Sequence, residues 1–237
     1  MASKKNKNTK KQTSGDKIYI MKGSSPCRLV WWIAMLADYR ADIIDIDLMK
    51  GENKESWFVE MNPRQCVPFY RSKEGVTLTE SRAISKYLIS KTYRSDLSKK
   101  YPGIWNTFSN VKRAKVDEML DYDLGTLYKR ISDFIYPIVF RGEKPDRDKY
   151  QLIKKSVVYL NDKIIENNGF LCCDNVSLAD LSVSLSLTML DFFEQEDFNL
   201  DAGKEYIEWQ IKMKELPHWE DINKDFYKWL ESKIGKQ

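Results

Sequence analysis

The apolar pattern of this chain changes period once, and that change constrains the fold more than any other feature. Up to about residue 94, short β-branched and aromatic runs alternate with stretches of helical spacing. From residue 104 onward the spacing is helical, with hardly a strand signal. Residues 18–21, 43–48, 66–70 and 76–78 read as strands, and 26–38, 55–61 and 80–93 as helices. Strand, helix, strand, helix, hairpin, helix is a small α/β layer. In the second half, residues 111–136 predict one long helix, stopped or kinked at Pro137. Residues 150–165 predict another, ending at the C-cap Asn167-Asn168-Gly169. Ser177-Leu178-Ala179-Asp180 has the form of a capping box and opens a helix over 181–193, so Ser177 and Asp180 are assigned to folding. Segments 206–216 and 219–234 complete an all-α half. The expected organisation is a basic disordered tail over 1–16, an α/β domain over 17–94, a polar linker over 95–103 closed by Pro102-Gly103, and an all-α domain over 104–237.

With 237 residues, 42% of them apolar, the chain can bury a substantial core. The formal net charge of +4 is more than supplied by Lys4, Lys5, Lys7, Lys10 and Lys11. The remainder is close to neutral, which argues against nucleic acid as the main partner. The first sixteen residues carry no apolar face and lack both a secretory and a transit pattern. No run approaches the roughly 18 apolar residues of a membrane span. Cys27, Cys66, Cys172 and Cys173 show no disulfide framework, which favours a reducing, cytoplasmic compartment. His218 is the one histidine, so no Ser-His-Asp triad, two-His metal site or His-Cys zinc site can be assembled, and no metal is expected.

The stretch Ser24-Ser25-Pro26-Cys27-Arg28-Leu29 lies between the first strand and the first helix. Hydroxyls at such a turn face unsatisfied backbone N–H groups and the positive end of the helix dipole, where an anion, a thiolate included, is held most easily. The same residues also read as an ordinary helix start, a hydroxyl N-cap with proline in the first turn.

With the remaining motifs in order, the chain resembles a cytosolic glutathione transferase over about residues 17–235. Gly23-Ser24-Ser25-Pro26-Cys27-Arg28 resembles the active-site turn of the delta class, with the theta class close behind. Asn62-Pro63 followed by Val67-Pro68 resembles the family's loop into a strand with a cis-proline, and Leu78-Thr79-Glu80-Ser81-Arg82-Ala83-Ile84 its glutathione-binding helix start. Asp123-Leu124-Gly125-Thr126-Leu127-Tyr128, the Tyr136-Pro137 bend and Ser177 to Asp180 are similar to its helical half. The resemblance implies a thioredoxin-like α/β N-terminal domain plus an all-α C-terminal domain. It further implies glutathione as cosubstrate with no other cofactor, a small electrophile as second substrate, a homodimer, and a role in detoxification.

On the resemblance, Ser24 is the catalytic residue, donating a hydrogen bond to the glutathione sulfur, with Ser25 as its rival. Asn53, Gln65, Val67, Pro68, Glu80, Ser81 and Arg82 are expected at glutathione, Val67 pairing its backbone with the cysteinyl moiety as an added strand would. Asn53 and Gln65 stand where delta-class members usually place histidines; both side chains still hydrogen-bond. Tyr128, Ile131, Phe134, Ile135 and Phe226 or Tyr227 are expected to line the second-substrate pocket. Two other readings are a glutathione-transferase-like interaction module without turnover, and a thiol reductase acting through Cys27. Ser25 stands where related glutaredoxins carry their reactive cysteine, so the reductase template lacks its nucleophile.

Overall fold

Four short strands form one sheet in the order β2-β1-β3-β4: β1 (Lys17–Ile20), β2 (Asp42–Asp45), β3 (Phe69–Arg71) and β4 (Thr77–Thr79). This is a computed structural model that describes residues 15–92, 99–102, 104–105, 109–191, 193 and 198–234. Most of the expected tail and much of the expected linker therefore lie outside the described residues. Helix α1 (Ser25–Leu36) supplies the crossover that lets β1 and β2 run parallel, whereas β1–β3 and β3–β4 are antiparallel. The register pairs Ile20 with Asp45, Tyr19 with Phe69, and Phe69 with Thr79. It therefore brings the C-terminal ends of β1, β2 and β4 to the same end of the sheet as the N-terminal end of β3.

Alternation along the strands sorts the side chains between two faces. Ile18, Ile20 and Tyr70 enter the main core with α1 and α3 (Ser81–Lys91). Tyr19 and Phe69 point the other way, against Phe58 of the short helix α2 (Ser56–Met61), with Tyr19 ring centroids 5.8 Å from Phe58 and 5.5 Å from Phe69. The helical half comprises α4 (Asn110–Tyr122), α5 (Tyr128–Arg141), α6 (Arg147–Glu166), α7 (Leu178–Leu187), α8 (Lys204–Lys214) and α9 (Trp219–Ile234). Helix α7 is buried on every side, the signature of a helix central to a core. It packs on α1, as does α9, so a single apolar core runs from the sheet into the bundle.

Three expectations change. The long helix predicted over 111–136 is two helices joined by a π-helical turn at Asp123–Leu127, where the Tyr128 N–H reaches the Asp123 carbonyl five residues back. Pro137 does not end the second of them: α5 continues to Arg141 and closes at Gly142 with φ 66°. The missing N–H frees one carbonyl only, and the buried faces of Ile138 and Val139 hold the last turn in place. Finally, Asp16 does not belong to a solvated tail. It is buried, accepts from the Tyr39 hydroxyl, the Tyr70 hydroxyl (2.7 Å), the Lys73 N–H (2.9 Å) and Lys91 Nζ (3.0 Å), and so pins the entry to β1.

The capping box at Ser177 and Asp180 forms as expected. Asp180 also accepts from the Leu171 N–H (2.9 Å) and the Trp209 indole (2.8 Å), so it organises three segments of the bundle. Among the described residues no helix is long and apolar enough to cross a membrane.

Candidate active site

Because of the strand register, Ser24, Val67-Pro68 and Glu80-Ser81 all follow or precede strands at one end of the sheet. Ser24 takes the N-cap position of α1 with extended backbone (φ −87°, ψ 123°), yet its hydroxyl caps no backbone N–H. The plain capping reading therefore fails in detail: no side chain caps the helix N-terminus, and Ser24 lines a cavity. Ser25 opens the helix and turns inward, accepting from Arg28 Nη2 at 3.1 Å. Cys27 is fully buried and hydrogen-bonds with Ser24; burial pushes its thiol up to about 11, so it is not a thiolate at neutral pH.

Val67 and Pro68 are joined by a cis peptide bond, as the resemblance implied. The preceding loop is shaped by Asn62, whose amide donates to the Cys66 carbonyl at 2.7 Å. Asn53 donates to the Gln65 carbonyl at 2.8 Å, which brings these two expected residues together, while the Asn53 Oδ1 is buried without a partner among the described residues. Glu80 has φ 72° and ψ 112°, a left-handed conformation costly for a residue with a Cβ by about 1–3 kcal/mol. Arg64 lies against this turn, ion-paired with Glu80 (2.7 Å) and donating to Thr79 (2.8 Å), an exposed pair too weak to hold the strain by itself. Ser81, buried, follows as the first residue of α3.

Arg82 departs from expectation. Its guanidinium faces the π-turn, ion-paired with buried Asp123, which also accepts from the Ser182 hydroxyl at 2.6 Å. One residue along a helix turns the side chain by about 100°, so Arg82 points to the bundle while Ser81 stays at the sheet end.

Beside Ser24 opens a cavity of about 780 Å³. One wall is the turn 21–25 with residues 45–49 and Glu52; the other is α5 and α9 with Met189. Tyr128, Ile135 and Phe226 line it. Ile131 and Phe134 do not: they lie on the other face of α5, where Phe134 packs against Tyr150, Phe193 and Phe198 in the core. The cavity takes instead Tyr136, Val139, Phe140, Trp229 and Leu230, which the sequence reading missed. Val139 had a signal in the spacing 128, 135, 139, a helical stripe distinct from 131, 134, 138, whereas Tyr136, Phe140, Trp229 and Leu230 lie off that stripe. The Tyr128 and Tyr136 hydroxyls are hydrogen-bonded at 2.8 Å, and Lys22 straps the mouth, 3.1 Å from Asp225 and 3.7 Å from Asp45. His218 sits outside the site, 3.3 Å from Asp221 at the start of α9.

A thioredoxin-like sheet with a cis-proline and an open helix start, facing an apolar cavity walled by a helical bundle, defines a glutathione-binding transferase fold. Residues 18–95 match the family model of the glutathione S-transferase N-terminal domain. Glutathione S-transferase D7 of Anopheles gambiae is 28% identical over 198 residues, covering 84% of this chain and 85% of that protein. The structure of a Nilaparvata lugens delta-class glutathione transferase superposes with a TM-score of 0.78 at 27% identity, covering 92% of this chain and 99% of that one. Bombyx mori glutathione transferase BmGSTD1 gives 0.78 at 26% identity, covering 96% and 99%. The family model, the relative and the solved structures together support a cytosolic, insect-type glutathione transferase enzyme.

Proposed function

We propose that the chain conjugates the thiolate of glutathione to small hydrophobic electrophiles, with Ser24 as the catalytic hydroxyl, in a cytoplasmic detoxifying role. The observation that carries this reading is the Ser24 hydroxyl, unspent on capping, at the junction of the sheet end and the apolar cavity. A thiol near pKa 8.5 is only a few per cent ionised at neutral pH. A hydroxyl donor beside an open helix N-terminus favours the anion, and two units of depression need only about 2.7 kcal/mol. The thiolate then attacks the electrophilic atom and the new bond forms on glutathione, so Ser24 itself is never covalently modified. Ser25 is the weaker candidate because its side chain is buried against Arg28. Cys27, buried and held protonated, offers no support for a thiol reductase.

Glutathione would lie along the sheet end, its cysteinyl moiety against the Val67 backbone and its γ-glutamyl end at Glu80 and Ser81, with Asn53 and Gln65 toward the glycyl end. Aromatic and aliphatic side chains on α5 and α9 suit a flat apolar acceptor. A homodimer is the symmetric default for such a chain, and light scattering checks it directly. The deciding experiment is conjugation of glutathione to a chloronitroaromatic by wild type, Ser24→Ala and Ser25→Ala. A fall of at least tenfold in Ser24→Ala alone, about 1.4 kcal/mol of transition-state stabilisation, is expected. Undiminished activity in Ser24→Ala overturns the assignment.

A further inference from the structure

The guanidinium of Arg28 is fully buried, and the side chains it bonds to or stacks on among the described residues are neutral. Nη1 donates to Asn223 Oδ1, Nη2 to Ser25 Oγ (3.1 Å) and Thr188 Oγ1 (3.0 Å), and its carbon lies 3.9 Å from the centroid of the Phe226 ring. Among the described residues Nε is buried with no partner, and none of the ion pairs includes Arg28. A buried charge is costly unless an opposite charge or full hydrogen bonding compensates it. An apolar side chain would fill the junction of α1, α7 and α9 without that cost, so packing alone does not account for a cation here.

We infer that Arg28 is a positioning residue for the reaction: its buried positive charge, held beneath the Ser24-Ser25 turn, favours the thiolate of glutathione bound above that turn without touching the sulfur. Two of its contacts, Ser25 and Phe226, themselves line the cavity, so one side-chain layer separates the charge from the site. The titratable groups around it do not cancel it. Cys27 stays protonated; Asp191 is engaged by the Tyr227 hydroxyl (2.7 Å) and Lys214 (3.6 Å); Tyr128 is bonded to Tyr136; Asp45 and Asp225 share Lys22. Burial lowers Arg28 to about 10, which leaves it charged at neutral pH. In low-dielectric surroundings a nearby cation acts on a thiol far more strongly than it would in water.

This inference rests on the thiolate reading above, and the test separates the two. The ultraviolet thiolate absorbance of the glutathione complex is titrated with pH for wild type, Arg28→Lys, Arg28→Met and Asn223→Asp. Arg28→Met removes the charge. Asn223→Asp keeps the packing and sets a carboxylate against the guanidinium, so it decides the matter if Arg28→Met does not fold. Both are expected to raise the thiol pKa by about one unit, a tenfold loss of thiolate below the pKa, with kcat/KM recovering at high pH. Arg28→Lys stays near wild type. A wild-type pKa in Arg28→Met or Asn223→Asp, or a rise in Arg28→Lys equal to that in Arg28→Met, overturns the role of Arg28. Absence of any thiolate signal in wild type overturns the thiolate reading itself, and this inference with it.

Discussion

Replacing Asp16 by asparagine should destabilise the protein in a way that depends on pH. Burial by itself would raise the Asp16 carboxyl, but hydrogen bonds from Tyr39, the Lys73 backbone, Tyr70 and Lys91 outweigh it and hold the group below the usual carboxylate range. In Asp16→Asn the Lys73 N–H keeps its acceptor, while the two tyrosine hydroxyls and Lys91 lose a charged one. Hydrogen bonds to a charged group contribute about 1.5–3 kcal/mol each. The Lys91 ammonium is 38% exposed and its share is discounted for solvent. Tyr39 and Tyr70, 3.1 Å apart, recover part of their loss by bonding each other. The expected net cost is about 2–4 kcal/mol, roughly 4–16 °C in Tm for a chain of this size. A carboxyl depressed in the folded state contributes stability that is complete above its unfolded pKa, near 3.9, and is lost as pH falls toward the folded value. Urea unfolding of both proteins from pH 7 down to pH 2.5 should show a gap constant above about pH 5 and narrowing below 4. A gap under 0.5 kcal/mol at pH 7, on the order of an ordinary surface substitution, or one that ignores acid, refutes the reasoning.

Asp180→Ala leaves the N–H groups of Ser177 and Leu171 and the Trp209 indole without their buried acceptor. At about 1–3 kcal/mol for each, thermal melts should show a loss of about 4–6 kcal/mol; a loss under 2 refutes the accounting. Phe134→Ala should cost about 3–5 kcal/mol of stability with little change in acceptor KM. Tyr136→Ala should cost under 1 kcal/mol, as an exposed site does, and change acceptor KM; the reverse pattern in paired melts and kinetics would return Phe134 to the pocket. Timed alkylation at pH 8 should label half-buried Cys66 first, with S-methylglutathione, which has no free thiol, protecting it, and leave Cys27 unmodified until the protein unfolds.

The order of strands and helices was legible because each element carries its own period: Ile18 and Ile20 face one side of the sheet, and residues 219–234 form the last helix with the bounds read from spacing. The Ser24 turn, Val67-Pro68 and Glu80-Ser81 were legible as motifs, and strand register explains why they converge. What was not legible depends on tertiary partners. Asp16 reads as one more polar residue beside a lysine-rich stretch until Tyr39, Tyr70 and Lys91 surround it. Arg28 reads as a charge in a helix first turn until α9 closes over it. Ile131 and Ile135 are equally apolar, and only the docking of α6 and α9 on opposite flanks of α5 decides which of them meets the cavity.

The π-turn at Asp123–Leu127 has a consequence for how the chain tolerates changes in length. A π-turn holds one residue more than an α-turn and absorbs it locally, so the helices on either side keep the facing they would have without it. Removing Gly125, whose Cβ position meets nothing within 4 Å, should therefore restore an unbroken helix and leave Tyr128, Ile135 and Val139 on the cavity wall. What the shortened turn gives up is the local backbone path that sets Asp123 against Arg82 and Ser182. Insertions and deletions at this joint separate two properties that elsewhere travel together: the shape of the acceptor wall stays, and the grip between bundle and sheet loosens.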